Sequence, residues 1–232
     1  MKTTNREKFN ALPQRQKKFA RTKIALLNAL LDALDTREFS SITIKELTQQ
    51  AEVSEPTFFN YFDSKQDMLV YIIQMWTIQM QDLARKCQAE SHSFLETIKA
   101  IFVESGKEIS EHPQILLEVI AFQASRTTAK AYEISAAEKW LFFEEIEGVE
   151  ALEGIGLESI FPVLIAQAKA AGELDASADE GLLFLTLSSL FFGTSLLVLK
   201  QDAKRLPALF EAELDLIFNR LNDEHKTKNK SP

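Results

Sequence analysis

A chain of 232 residues, 46% of them apolar, is long enough for one large domain or two small ones and can bury a substantial core. Seven glycines and six prolines are few, and with abundant Leu, Ala, Glu and Lys they favour an almost entirely helical protein. The single cysteine, Cys87, excludes an internal disulfide, and its phase with Met80 and Leu83 on an apolar stripe reads as a small buried hydrophobe. A net charge of −8 argues against a polyanionic partner until it is divided along the chain. Residues 1–65 hold 11 Lys/Arg against 8 Asp/Glu, and residues 66–232 hold 15 against 26. Between Lys2 and Lys23 eight basic residues face one acid, Glu7. Phosphate attraction follows local charge, so this asymmetry suits a two-domain protein that binds DNA at one end. The bland reading of the same arm is a solvated, disordered tail. The N-terminus lacks the apolar core of a signal peptide, which predicts a cytoplasmic protein.

In chain order, a first long helix is expected from about Gln16 to Arg37. Phe19, the stem of Lys23, Ile24, Leu27, Leu30, Leu31 and Leu34 form its stripe. Thr43 to Lys65, TIKELTQQAEVSEPTFFNYFDSK, then reads as a helix, a tight turn and a second helix. Thr43 with Glu46 makes a capping-box start, and Ile44, Leu47 and Ala51 follow at helical spacing. Ser54 can cap the second helix, where Pro56 in the first turn removes an amide that has no partner there. Phe58 and Phe62 fall on one face, while Thr57, Asn60 and Tyr61 point the other way. An apolar face for a three-helix core and a polar face for a groove is the plan of a helix-turn-helix that reads DNA.

The run Phe39, Thr43, Glu46, Leu47, Ala51, Val53, Ser54, Thr57, Phe58, Tyr61, Phe62, Ser64, Lys65 and Leu69 resembles the N-terminal domain of TetR-type transcriptional regulators. The resemblance implies a DNA-binding surface of Thr43, Lys45, Ser54, Glu55, Pro56, Thr57, Phe59, Asn60, Tyr61 and Lys65. Lys65 and the arm residues Lys17, Lys18 and Arg21 are expected on phosphates, and Lys45, Thr57, Asn60 and Tyr61 at or beside base edges. Three positions depart from the family pattern. Glu38 and Glu52 stand where glycine is usual, and a residue with a Cβ in a left-handed turn costs about 1–2 kcal/mol. Phe59 replaces a tyrosine that commonly donates to a phosphate, so that contact is lost.

Ser64 with Asp67 starts a long connecting helix carrying Leu69, Ile72, Ile73, Trp76, Met80, Leu83 and Cys87 inside. Further helices are expected at Ser93–Glu111, Pro113–Ser125, Tyr132–Glu147, Leu157–Ala171, Ala178–Gln201 and Leu206–Asp223. Gly148 to Gly156 is expected to be a flexible connection, and the chain from Lys226 a disordered tail. Gly181 to Leu199 is uncharged, which makes it a membrane-span candidate by length. Five hydroxyl residues interrupt it, and no basic or aromatic belt flanks it, so a buried bundle helix explains it better. Ser189 and Gly193, four apart, offer a strip for close helix approach. Ala171-Gly172-Glu173-Leu174 is similar to a phrase that TetR-type chains carry between their last two main helices, which implies a four-helix dimer interface from Leu157–Ala171 and Ala178–Gln201.

His92, His112 and His225 form no cluster with metal-ligand spacing, and no phosphate loop is present, so neither an enzyme, a metal nor a cofactor is expected. The acids of Phe143 to Glu147 read as a solvated face. The family resemblance implies an apolar ligand cavity in the C-terminal part, with Phe102, Phe122 and Trp140 as lining candidates and Arg126 as a polar anchor. The expectation is an all-α protein with an N-terminal three-helix DNA-binding head, residues 1–65, a helical effector-binding and dimerisation domain, residues 66–225, and a tail, residues 226–232. It would act as a homodimeric repressor, released from a pseudo-palindromic operator in double-stranded DNA by a small apolar effector. The alternatives are a helical ligand-binding or interaction module without DNA binding and, third, a membrane-attached helical protein.

Overall fold

The computed structural model describes residues 3–125 and 130–228. Among these residues there is no strand, and the helices are α1 Asn5–Ala11, α2 Gln14–Leu34, α3 Ile44–Gln50, α4 Glu55–Phe58, α5 Gln66–Ala89, α6 Phe94–Glu111, α7 Pro113–Ala124, α8 Ala136–Phe142, α9 Phe161–Ala170, α10 Glu180–Asp202 and α11 Leu206–Lys228. They make two compact units, Met1–Asp82 with Gln114–Ile155, and Leu83–Pro113 with Gly156–Pro232. This division differs from the boundary expected at residue 65. The connecting helix α5 starts just past that point and runs unbroken across Asp82, and the chain re-enters the first unit after α6.

The first unit is built around Leu26, Leu27, Leu30 and Leu34 of α2, Leu47 of α3, Phe58, Phe62, and Met68, Leu69 and Tyr71 of α5, all essentially without solvent contact. Burying each such side chain stabilises by about 1.5–3 kcal/mol. Ile134, Phe143 and Val149 of the returning chain complete the same core. The basic arm is not a disordered tail. Thr4 and Glu7 form a capping box that starts α1, and Pro13 separates it from α2. Phe9 is buried, and the Asn5 side-chain amide donates to Phe143 O at 2.8 Å and Ile146 O at 2.7 Å. The first long helix therefore begins at Gln14 and ends at Leu34, short of Arg37.

The helix expected over Tyr132–Glu147 contracts to α8, started by a Ser135–Glu138 capping box. Gly148 to Gly156 is not a free connection either. Gly148 turns at φ +69°, Val149 is fully buried in a 3-10 turn, and Lys139 Nζ donates to Glu150 O and Leu152 O. Residues 226–228, expected in the tail, continue α11, while residues 229–232 lie outside the described residues.

In the second unit α6 packs on α9 and α11. Phe102 stacks on Phe161 at 5.2 Å and meets Phe191 and Phe210 edge-on. A Cβ on Gly106 would lie 3.0 Å from Pro207 Cα, so glycine allows α6 and α11 to approach. Ala171–Leu174 has a local purpose. Gly172 takes φ +76°, and the Glu173 carboxylate accepts the free amides of Phe94 and Leu95 at the start of α6. Along α10, Leu182, Leu185 and Leu196 are exposed, with Ser189 and Gly193 in the same stripe, and a Cβ at Gly193 would meet nothing within 4 Å. Val163 of α9 is exposed as well. By length and composition the stretch from Glu180 qualifies as a membrane span. Three of its hydroxyls nonetheless find protein partners, Thr186 donating to Leu182 O, Thr194 to Glu213 of α11 and Ser195 to Phe191 O, while Ser188 Oγ is buried without one among the described residues.

Candidate nucleic-acid interface

Local capping holds the reading motif. Thr43 N–H and Oγ1–H both donate to Glu46 Oε2 at 2.8 Å, and Glu46 N–H returns a bond to Thr43 Oγ1. These bonds to Thr43, with Arg37 Nη1 at 3.1 Å, pull the Glu46 carboxyl down to about 2. The turn takes the usual glycine conformation with a glutamate in place, since Glu52 has φ +55°. Val53 N–H then reaches Thr48 O at 2.9 Å and closes the C-terminus of α3. Glu38 does not share this strain, lying in ordinary extended backbone at φ −71°. Ser54 Oγ accepts from Thr57 N–H and caps α4, with Pro56 in the first turn.

Two faces result. Phe58 and Phe62 are fully buried with ring centroids 5.7 Å apart, and Phe62 meets Tyr71 of α5 edge-on. On the other side Lys45, Glu55, Phe59 and Asn60 are exposed, and the side chains of Lys45 and Asn60 bond to no other described residue. Tyr61 is half-buried with its ring 4.7 Å from Phe19, which keeps Phe19 at the surface rather than in the α2 stripe. Thr57 is half-buried, and its hydroxyl lies 2.7 Å from Ser54 Oγ. The hydroxyls of Thr43, Ser54 and Thr57 thus serve the caps first.

The expected phosphate contacts divide. Lys18 is exposed; Arg21 is exposed with its guanidinium over the Phe9 ring; Lys17 Nζ donates to Asn10 O at 3.0 Å. Lys65 turns inward. Its ammonium donates to Phe39 O at 2.5 Å and Ile42 O at 2.6 Å and lies over the Phe39 ring, and burial lowers its pKa. The loop leading into α3 offers these carbonyls, and the flexible stem reaches them.

The sequence reading missed the buried charge in this unit. Lys23 and Glu138 form an ion pair at 2.7 Å with side chains 3% and 1% exposed, and Tyr71 OH donates to the same carboxylate. The ammonium sits 4.3 Å from the Tyr71 ring centroid, and burial pulls its pKa down against Glu138. A lysine in phase with Ile24 and Leu27 is the signal that announced it. The ligand candidates do not share one unit. Phe102 lies in the aromatic core of the second, whereas Phe122 and Trp140 pack on the core of the first, where Trp140 Nε1 donates to Glu150 at 3.0 Å. Arg126 lies outside the described residues.

Residues 26–72 match the model of the bacterial regulatory proteins of the tetR family. The fold is similar to that of FadR from Bacillus subtilis in complex with stearoyl-CoA, with a TM-score of 0.58 at 14% identity, over 84% of this chain and 97% of that one. Thermus thermophilus FadR, a TetR family transcriptional repressor in complex with lauroyl-CoA, superposes at 0.61 and 17% identity, over 84% and 92%. A TetR-family regulator from Rhodococcus sp. gives 0.62 and 16%, over 85% and 98%. No protein of curated function matches the sequence. At such identities the likeness is one of fold.

Proposed function

We propose that this chain, a TetR-type regulator in its reading head and its all-helical fold, is a homodimeric, cytoplasmic repressor released from a pseudo-palindromic operator by a small apolar effector. The observation that carries DNA reading is the outer face of the motif. Lys45, Phe59 and Asn60 stand exposed beside two capped helix starts, next to the basic residues of α2, in an otherwise acidic chain. Such a face places side chains in a major groove while backbone amides and arm cations hold phosphates. Dimerisation through α9 and α10 covers the exposed Leu182, Leu185 and Leu196 and sets two heads on successive grooves. Long acyl groups are the first effector class to test, because two regulators of this fold hold acyl-CoA.

The test is selection of duplexes from a randomised pool, followed by titration across salt concentrations. The expected result is a two-fold-related site whose affinity falls steeply with salt, about 0.9 logarithmic unit per decade for each phosphate contacted. Asn60→Ala should alter the preference among site variants. Recovery of no preferred duplex would leave a helical module that does not read DNA.

A further inference from the structure

Gln114–Ile155 belongs to the first unit, yet its chain neighbours on both sides belong to the second. It is a strap, tied along α5 by two glutamines seven residues apart on one helix face. Gln74 donates to Tyr132 O at 2.7 Å and accepts from Tyr132 N–H at 3.2 Å. Gln81 does the same for Glu153, at 2.7 and 3.1 Å. Gln74 also donates to Gly154 O, and a Cβ at Gly154 would come within 2.3 Å of Gln74 O, so the outgoing end lies directly on the helix backbone. Between these ties, Glu138 holds Lys23 of α2 and Tyr71 of α5.

Midway along, at Tyr132, the strap touches the reading motif itself. Tyr132 OH donates to Asp67 Oδ2 at 2.7 Å and accepts from Asp63 N–H at 2.9 Å, 69 residues back along the chain. Asp67 gathers the rest of the turn, accepting from Asp63 N–H, Ser64 N–H and Oγ–H, and Lys130 N–H. The Tyr132 ring stands edge-on to Phe62 at 5.7 Å. Asp63 to Lys65 is the turn that leads from Phe62 into α5, so the position of α4 depends on where this turn is held.

We propose that Tyr132 is a positioning residue for DNA reading: its phenol latches the turn between α4 and α5, and the strap gives the second unit a covalent hold on that latch. This rests on the DNA-reading function above. Tyr132→Phe removes both bonds and keeps the ring on Phe62. In the full chain it is expected to melt within a few degrees of the parent while Asp63 and Ser64 amides exchange hydrogen faster. Affinity for the duplex that the parent selects should fall by about fivefold or more, the equivalent of one or more hydrogen bonds. Affinity for a scrambled duplex should not change, a split that general loss of structure does not produce. Asp67→Asn weakens the same acceptor and should move both readouts in the same direction, whether or not Tyr132→Phe folds. Unchanged exchange at Asp63 in folded variants overturns the latch, and so does faster exchange with selected-duplex affinity within about twofold of the parent. If the parent selects no duplex, the DNA-reading function and this role in it both fall, while the exchange measurement still decides whether Tyr132 holds the turn.

Discussion

Two residues in the head behave against their type. Glu52 occupies a left-handed turn that costs a side-chain-bearing residue about 1–2 kcal/mol. Glu52→Gly is therefore expected to stabilise the protein by about 1 kcal/mol after the greater chain entropy of glycine is counted, read as a raised melting temperature. A lower one would show that the glutamate is held by something stronger than the turn. Lys65, in the place of a phosphate contact, holds the carbonyls of Phe39 and Ile42. Lys65→Met should destabilise by about 1–3 kcal/mol, because those carbonyls lose their donor, and should leave the salt slope of DNA binding unchanged. A slope reduced by one contact would return Lys65 to the phosphates. Glu150, bonded by Lys8 first and Trp140 second, has its carboxyl pulled down to about 2 from 4.5. A depressed carboxyl contributes stability above its unfolded value and loses it as pH falls through the folded one. The gap in melting temperature between the parent and Glu150→Gln should be widest above pH 4.5 and close toward pH 2, whereas a gap independent of pH would contradict this.

At the scale of elements, α10 makes the sharpest demand. Its exposed leucines and the open side of Gly193 call for a cover, and Gly193→Arg is expected to convert the proposed dimer into monomers or aggregates in sedimentation. An undisturbed dimer would move the interface elsewhere. Elements set by local chemistry were legible in the sequence. Thr43 with Glu46 and Ser54 with Thr57 cap the helices they announced, and Phe58 and Phe62 share the inner face. Elements decided by distant partners were not. The basic arm carries a local start for α1 in Thr4 with Glu7, but what ties that helix down is Asn5, whose two carbonyls lie 138 and 141 residues away and which no local pattern encodes. The glycine-rich stretch after α8 looked flexible, yet Lys139, Gln74 and Gln81 fix it through backbone groups that every residue type carries. The inward turn of Lys65 was hidden for the same reason, since its acceptors are carbonyls.

For the whole molecule, regulation reduces to a coupling free energy. If an acyl effector lowers operator affinity tenfold, about 1.4 kcal/mol of coupling is at work, and saturating operator must weaken effector binding by the same factor. Equal effector affinities with and without operator would show that the ligand does not regulate DNA binding. The discontinuity of the first unit carries a separate consequence for anyone wishing to re-target the protein. Its head is not an interchangeable cassette. Cutting after Asp82 removes Ile134, Phe143 and Val149 from the core and strips Lys23 of Glu138. Opening that core to water gives up apolar burial that makes up a large part of the stability of a small domain. A functional chimaera has to exchange residues 1–82 and 114–155 together, so on the proposed reading a change of DNA specificity is free to proceed by substitution on the outer face of α4 but not by transplanting the N-terminal stretch alone.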